Sequence, residues 1–232
     1  MREACLIGPF TVGFRAARCV EPKPGENAIV FGAGTIGIAA AIRLKYFGCK
    51  EVMICDHSDF RLDKATHLGF ATCSNSREDW KKAAMSVFGT APSRFGPTAN
   101  VSTYIDASGT KPILELYQSM GKIESRMVVV AVHAGKRPVD ILEMTYSQHA
   151  LIGSGGYNLE NVEDVLAVMV QSRGICSGGC RSAKERKLLT RRAKSDDLGG
   201  REFPPGFVTL PKCVLLGKRR LVMAFASLLF TA

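Results

Sequence analysis

Residues 28–41, AIVFGAGTIGIAAA, run a short apolar strand through three glycines directly into a helix. Few folds accept a strand that becomes a helix within a handful of residues, and the parallel βα unit is the common one. The spacing Gly32-Ala33-Gly34-Thr35-Ile36-Gly37 is G-x-G-x-x-G, and each missing side chain has a separate use. Gly32 permits the tight turn, Gly34 lets the backbone approach a pyrophosphate, and Gly37 lets the helix pack near the strand. The helix start then points free N–H groups at the phosphates. These six residues are the first candidate dinucleotide-binding positions.

The unit repeats. Strand signals fall at 27–32, 51–56, 70–75, 100–108, 126–132 and 150–156, and helical spacing at 35–48, 58–69, 111–121, 139–148 and 161–170. Gly48 is placed to close the first helix and Ser58 to cap the second. The alternation predicts an α/β fold, a doubly wound parallel sheet of the Rossmann type with about six strands and right-handed crossovers. Asp56 ends the second strand, where a carboxylate accepts hydrogen bonds from an adenosine ribose. An acid there favours NAD over NADP, whose 2′-phosphate would meet its charge.

Charge divides the chain. Residues 173–232 carry 13 Lys and Arg against 4 Asp and Glu, whereas residues 1–172 carry 18 against 17. The expected organisation is a lead-in segment at 1–22, a dinucleotide-binding domain at 23–171 and a basic, poorly ordered tail at 172–232. The main domain has no electrostatic footprint for a polyanion, which speaks against a nucleic-acid partner; binding of nucleic acid or anionic lipid is the sharper alternative for the tail. No apolar run approaches the ~20 residues of a membrane helix and the start lacks a signal-peptide pattern, so the expectation is a cytoplasmic protein with no membrane partner. The eight cysteines form no C-x-x-C pair. Most read as small buried hydrophobes, and Cys176 with Cys180 lacks the further ligands of a zinc site.

With these residues in place the chain resembles a family, the zinc-type medium-chain alcohol and polyol dehydrogenases, in the sorbitol, butanediol and threonine dehydrogenase branch. EACLIGPFTVGFRAA looks like the segment leading into their cofactor domain, and KPGENAIVFGAGTIG like their approach to the first strand. DHSDFRLDKATHLG is similar to their D-x-x-x-x-R-L-x-x-A-x-x-L-G, which implies that Arg61 lies along the adenine face. YIDASG resembles the edge of their fourth strand and implies cofactor contacts at Ser108 and Gly109. VVVAVH and ALIGSGGY resemble the two late strands bordering the nicotinamide, which implies Val132, His133, Ser154 and Gly155.

The resemblance also implies a chemistry. In the family a separate catalytic domain holds zinc through Cys, His and Glu, and the metal polarises the alcohol oxygen. This chain starts where that domain would have ended, its four histidines lie in cofactor-domain elements, and Gly8-Pro9 stands where many relatives read Glu-Pro. The expectation is therefore NAD(H) as cofactor, with no metal ligand and no catalytic residue in this chain. Zinc and a small alcohol or polyol substrate belong to the full-length family. The same expectation makes the chain an incomplete or rearranged product, inactive alone, that self-associates, if at all, through the last strand of the sheet. Two other readings stand beside it, a catalytically silent NAD-binding module and a basic interaction protein using the tail. A methyltransferase is a weaker fourth, since the full G-x-G-x-x-G and Arg61 suit a dinucleotide better.

Overall fold

A computed structural model describes residues 6–77 and 79–176. The elements in chain order are α1 (Ile7–Cys19), β1 (Ala28–Phe31), α2 (Thr35–Tyr46), β2 (Val52–Asp56), α3 (Asp59–His67), β3 (Ala71–Ser74), α4 (Trp80–Phe88), β4 (Thr90–Ser93), β5 (Gly96–Ala99), β6 (Thr103–Asp106), α5 (Lys111–Met120), β7 (Arg126–Val129), α6 (Ile141–Ser147), β8 (Ala150–Gly153) and α7 (Leu159–Cys176). Of the basic tail expected at 172–232, residues 177–232, Cys180 among them, fall outside the described residues. Among those residues no helix is long and apolar enough to cross a membrane.

Successive residues of a strand face opposite sides of a sheet, and in the central strands both sets are apolar. Ala28, Val30, Val52, Ile54, Ile105 and Val128 pack on one side with α1, α2, α3 and α7. Ile29, Phe31, Met53, Cys55, Tyr104 and Met127 pack on the other with α4 and α5, around Trp80, Phe88, Ile113 and Tyr117. The six strands pair in the order β3-β2-β1-β6-β7-β8, all parallel. With the small β4–β5 hairpin set aside, this is the doubly wound order expected from the sequence, and it reverses between β1 and β6. A crevice opens there beyond the carboxyl ends of the strands.

The structure adds four elements to the expected ones, α1, α4, β4 and β5. The lead-in segment contains α1, whose Phe10, Phe14, Ala16 and Ala17 are buried. It crosses α2 so closely that a Cβ on Gly13 would lie 2.5 Å from the Ile36 carbonyl oxygen. The stretch between β3 and β6 folds as α4 and the antiparallel hairpin. At the other end α7 continues through position 172 to Cys176, and its Asp164 accepts from Arg18 of α1 and, at 2.7 Å, from Arg43 of α2. Burial pulls the Arg43 guanidinium below its usual range, against the opposing pull of Asp164. Gly48 does end α2, at φ +92°. Ser58 occupies the N-cap of α3 but its hydroxyl makes no capping bond; its backbone N–H turns back to Asp56 instead. Cys49, Cys55 and Cys73 are buried, in line with the reading of the cysteines as small hydrophobes, and Cys19 is half-buried.

Candidate functional site

The glycine turn joins β1 to α2 at the crevice, and its three glycines are there for three different reasons. Gly32 has φ +106°, and a Cβ on it would sit 3.0 Å from the Ala107 carbonyl beyond β6. A Cβ on Gly37 would be 1.9 Å from the carbonyl oxygen of Gly32. Both are demanded by the fold itself. Gly34 is different: its φ of −74° and ψ of 178° suit any residue, and a Cβ there would meet nothing within 4 Å. No protein contact calls for a glycine at 34, and the open space belongs to the crevice. Gly34 is also the N-cap of α2 and has no side chain to bond the first-turn N–H groups, so those donors remain for a ligand.

Asp56, at the end of β2, is 9% exposed. Its Oδ2 accepts the Ala33 N–H at 2.7 Å and its Oδ1 the Ser58 N–H at 2.8 Å. Arg61 Nη1 stands 3.8 Å from Oδ2. A carboxylate offers about four lone pairs, so two backbone bonds leave acceptor capacity for a ribose diol. The cleft in front, about 190 Å³, is lined by Gly32, Gly34, Asp56, Arg61 and Ser108, all expected at the site. Cys55, His57, Asn75, Ala107 and Thr110 line it too and were not among the candidates. Asn75 follows Ser74, the register partner of Asp56; the alignment of the two strand ends is the signal that points to it. The Asn75 side-chain oxygen and the Ser74 hydroxyl are buried without a hydrogen-bond partner. Ala33, Thr35, Ile36 and Gly37 belong to the turn and first helical turn and do not line the cleft.

The other expected residues gather at the ends of β6, β7 and β8. Asp106 bonds the Ser108 and Gly109 N–H groups and meets His133 at 2.8 Å. Val132, beside it, is 96% exposed. Ser154, at the end of β8, donates its N–H to Val129 and keeps a buried hydroxyl without a partner; Gly155 is exposed. Asp106 was read as the acid of a D/E-x-x-G strand edge in YIDASG but was not among the candidate site residues.

A dinucleotide fits this donor set: open space at Gly34, uncapped helix N–H groups, and a buried carboxylate with spare acceptors beyond them. A zinc ion does not fit it in the same way. Among the described residues no three His, Cys, Asp or Glu side chains converge.

Comparison with known proteins agrees with this geometry. The family model described as zinc-binding dehydrogenase matches residues 35–171. The L-threonine 3-dehydrogenase of Anaeromyxobacter sp. (strain K) is 28% identical over 169 residues, covering 73% of this chain and 47% of that protein. The (R,R)-butanediol dehydrogenase of Saccharomyces cerevisiae is 25% identical over 196 residues, covering 84% and 48%. Among solved structures, a protein of Escherichia coli CFT073 described as a short chain alcohol dehydrogenase, complexed with the cofactor NADH, superposes with TM-score 0.62 at 23% identity, over 73% of this chain and 48% of that one. The chain thus spans about half the length of the curated relatives it matches.

Proposed function

The chain belongs to the zinc-binding dehydrogenase family, and from that premise we propose that it binds NAD(H) across the β1–β6 crevice, in preference to NADP(H), as the cofactor domain of an alcohol or polyol dehydrogenase. The observation that carries this reading is Gly34. Its missing side chain serves no contact inside the protein and leaves room beside the uncapped start of α2, where a pyrophosphate is held by backbone N–H groups. Asp56 then faces the adenosine ribose and accepts its hydroxyls, and the same charge repels a 2′-phosphate. Arg61, half-exposed at 3.8 Å from Asp56, shields the outer face of that half-site.

The nicotinamide, when bound, supplies hydride transfer. The residues of this chain orient it: Ser108 and Gly109 at the end of β6, Val132 and His133 after β7, and Ser154 and Gly155 after β8. Alcohol or polyol substrates and self-pairing along the β8 edge belong to the same proposal.

Calorimetry on the full chain with NADH, NADPH and ADP-ribose tests it. NADH and ADP-ribose are expected to bind and NADPH to bind more weakly. Tighter binding of NADPH would contradict the role given to Asp56, and no binding of any of the three would end the reading. For turnover, the full chain is mixed with NAD and sorbitol, butanediol, threonine or simple alcohols, with and without zinc. The expected result is no NADH formation; zinc-dependent turnover would mean that a metal site exists outside the described residues.

A further inference from the structure

Asn75 follows β3 and lines the cleft. Its backbone N–H donates to the Asp56 carbonyl at 3.0 Å, so the end of β3 is fastened to the end of β2. The Asn75 side-chain oxygen is shut off from water and has no hydrogen-bond partner. A buried amide oxygen without a donor is a cost that an apolar side chain at the same place would avoid. The other polar side chains lining the cleft are engaged. The Ser108 and Thr110 hydroxyls meet at 3.1 Å, and Ser108 also donates to Asp106 at 2.9 Å. The His57 ring meets the Ser76 hydroxyl at 3.4 Å, and Arg61 can only donate. Asp56 holds the Ala33 and Ser58 N–H groups and is the acceptor assigned to the ribose. Asn75 is therefore the residue of the cleft lining whose side-chain oxygen is left without a donor among the described residues.

The order of the strand ends gives that oxygen a place along the ligand. Gly34 follows β1, Asp56 ends β2 and Asn75 follows β3, and the three strands are neighbours in that order, about 4.8 Å apart. A dinucleotide with its pyrophosphate at Gly34 and its ribose at Asp56 carries its purine one step further, to Asn75. The terminal torsion of asparagine is soft, and an oxygen with no bond to break turns toward the purine at little cost. The ring nitrogens of adenine accept, and its exocyclic 6-amino group donates.

We propose that Asn75 is a specificity-determining residue of the cleft: its side-chain oxygen accepts the 6-amino group of the purine, so the site selects adenine over a 6-oxo purine. The bound base supplies the donor that the free chain lacks. A 6-oxo purine sets its own acceptor against that oxygen, and the Asn75 oxygen stays unpaired. Asp56 and Gly34 read the ribose and the pyrophosphate, which are the same in both ligands, and Asn75 reads the base. This inference rests on the dinucleotide reading above.

The test is calorimetry on the full chain with NADH and with its hypoxanthine counterpart, in which a 6-oxo group replaces the 6-amino group and nothing else changes. The unaltered chain is expected to bind NADH roughly fivefold to tenfold more tightly, the scale of one hydrogen bond. Asn75→Leu and Asn75→Ala keep the backbone bond to Asp56 and remove the acceptor, and in both the two ligands should bind nearly alike. Asn75→Asp can accept and, when ionised, cannot donate, so it should keep or widen the preference, which a merely structural role for the amide would not predict. Equal binding of the two ligands by the unaltered chain, an unchanged preference in N75L or N75A, or a lost preference in N75D overturns the inference. Failure of the unaltered chain to bind either ligand overturns the dinucleotide reading instead.

Discussion

Asp56 accepts the backbone N–H of Ala33 at 2.7 Å, so the residue that ends β2 also fixes the second residue of the glycine turn, 23 positions earlier in the chain. The carboxylate holds the turn in shape before any ligand arrives, keeps spare lone pairs, and lines the cleft. Two jobs fall on one side chain, and they separate by substitution. Asp56→Asn keeps an acceptor for Ala33 and removes the charge. The gap between NADH and NADPH affinities should narrow by about 1 to 2 kcal/mol, the scale of a lost charged hydrogen bond. Asp56→Ala should narrow it too and in addition weaken ADP-ribose, because the turn loses its anchor. Calorimetry with the three ligands reads both; an unchanged NADH to NADPH ratio in D56N would remove the charge from the argument.

Gly34 and Gly37 give opposite outcomes for similar changes. A Cβ at Gly34 meets no protein atom within 4 Å, so Gly34→Val should leave the melting temperature within a degree or two while abolishing NADH binding, its side chain standing where the pyrophosphate goes. Gly37→Ala drives a Cβ to 1.9 Å from the Gly32 carbonyl oxygen. Backbone must move, and a loss of about 3 kcal/mol in stability is expected. Urea unfolding and NADH titration of the two variants separate folding from binding. A destabilised, binding-competent G34V would refute the assignment.

How far the sequence carries the fold depends on where the local signals are unambiguous. The six parallel strands were legible because each is an apolar run beside a helix with its own periodicity, and Gly32 and Gly37 stand at the tight turn and the close helix–strand approach that their spacing implied. Helix α1 contains Gly8, Pro9 and Gly13, residue types that disfavour a helix locally. Pro9 sits in the first turn, where its missing N–H costs nothing, and Gly13 is a contact point for α2, a tertiary reason that no local reading contains. Helix α4 carried signals that went unused: Asp79 caps it through the Lys81 N–H, and Trp80, Ala84 and Phe88 follow at helical spacing. Pro92 and Pro97 face each other in a two-stranded ribbon with free edges, where a missing donor is tolerated. At the site, Asn75 becomes visible only through the pairing of β3 with β2. The meeting of Asp106 with His133 needs the β6–β7 alignment and the return of the following loop, neither of which is written in any short stretch.

The α1–α2 crossing makes Gly13 a stability determinant. A Cβ there would lie 2.5 Å from the Ile36 carbonyl oxygen, 2.8 Å from the Ala39 Cβ and 2.9 Å from the Ala40 nitrogen. Two of the three are backbone atoms of α2, so the helices must separate, and Gly13→Ala should cost about 2 to 3 kcal/mol despite alanine's better helix propensity. Gly8 has nothing within 4 Å, and Gly8→Ala should be neutral or gain about 0.5 kcal/mol. Equal unfolding midpoints for the two variants would mean that α1 is not packed as described.

Asp164 ties α7 to the rest. Arg43, with a side chain 6% exposed, bonds it at 2.7 Å and lies 4.5 Å from the Phe47 ring centroid. Removing the carboxylate leaves a buried guanidinium without its counter-charge, and Asp164→Ala should destabilise by about 3 kcal/mol. Asp164→Asn, which keeps an acceptor, should lose less. The comparison of unfolding midpoints checks it; equal loss in both would assign the whole effect to the charge, since the isosteric Asn keeps the packing, and no loss in D164N would assign it to packing instead.

His149 should make the fold sensitive to mild acid. The residue is 7% exposed, its ring lies 4.9 Å from that of Tyr117, and its Nε2 bonds the Lys122 carbonyl at 3.2 Å, while Nδ1 is buried with no partner. Burial lowers its pKa below the ordinary histidine value, a shift only partly opposed by the Lys122 and Gly121 carbonyls and the charge of Glu143. The folded chain therefore holds the ring neutral at a pH where the unfolded chain has already taken up a proton. This contribution is whole above about pH 7 and declines as the pH falls through about 6.5, the unfolded value. It levels off once the pH passes below the folded pKa, and the slope from one group is at most about 1.4 kcal/mol per pH unit. Other acid-sensitive groups act on the same curve, so the informative quantity is the difference between the unaltered chain and His149→Phe, which keeps an aromatic ring against Tyr117 but cannot titrate. The unaltered chain should lose more stability between about pH 7 and about pH 5.5 than H149F does, read as urea midpoints. Parallel losses in the two would mean that His149 accepts its proton in the folded state as readily as in the unfolded one.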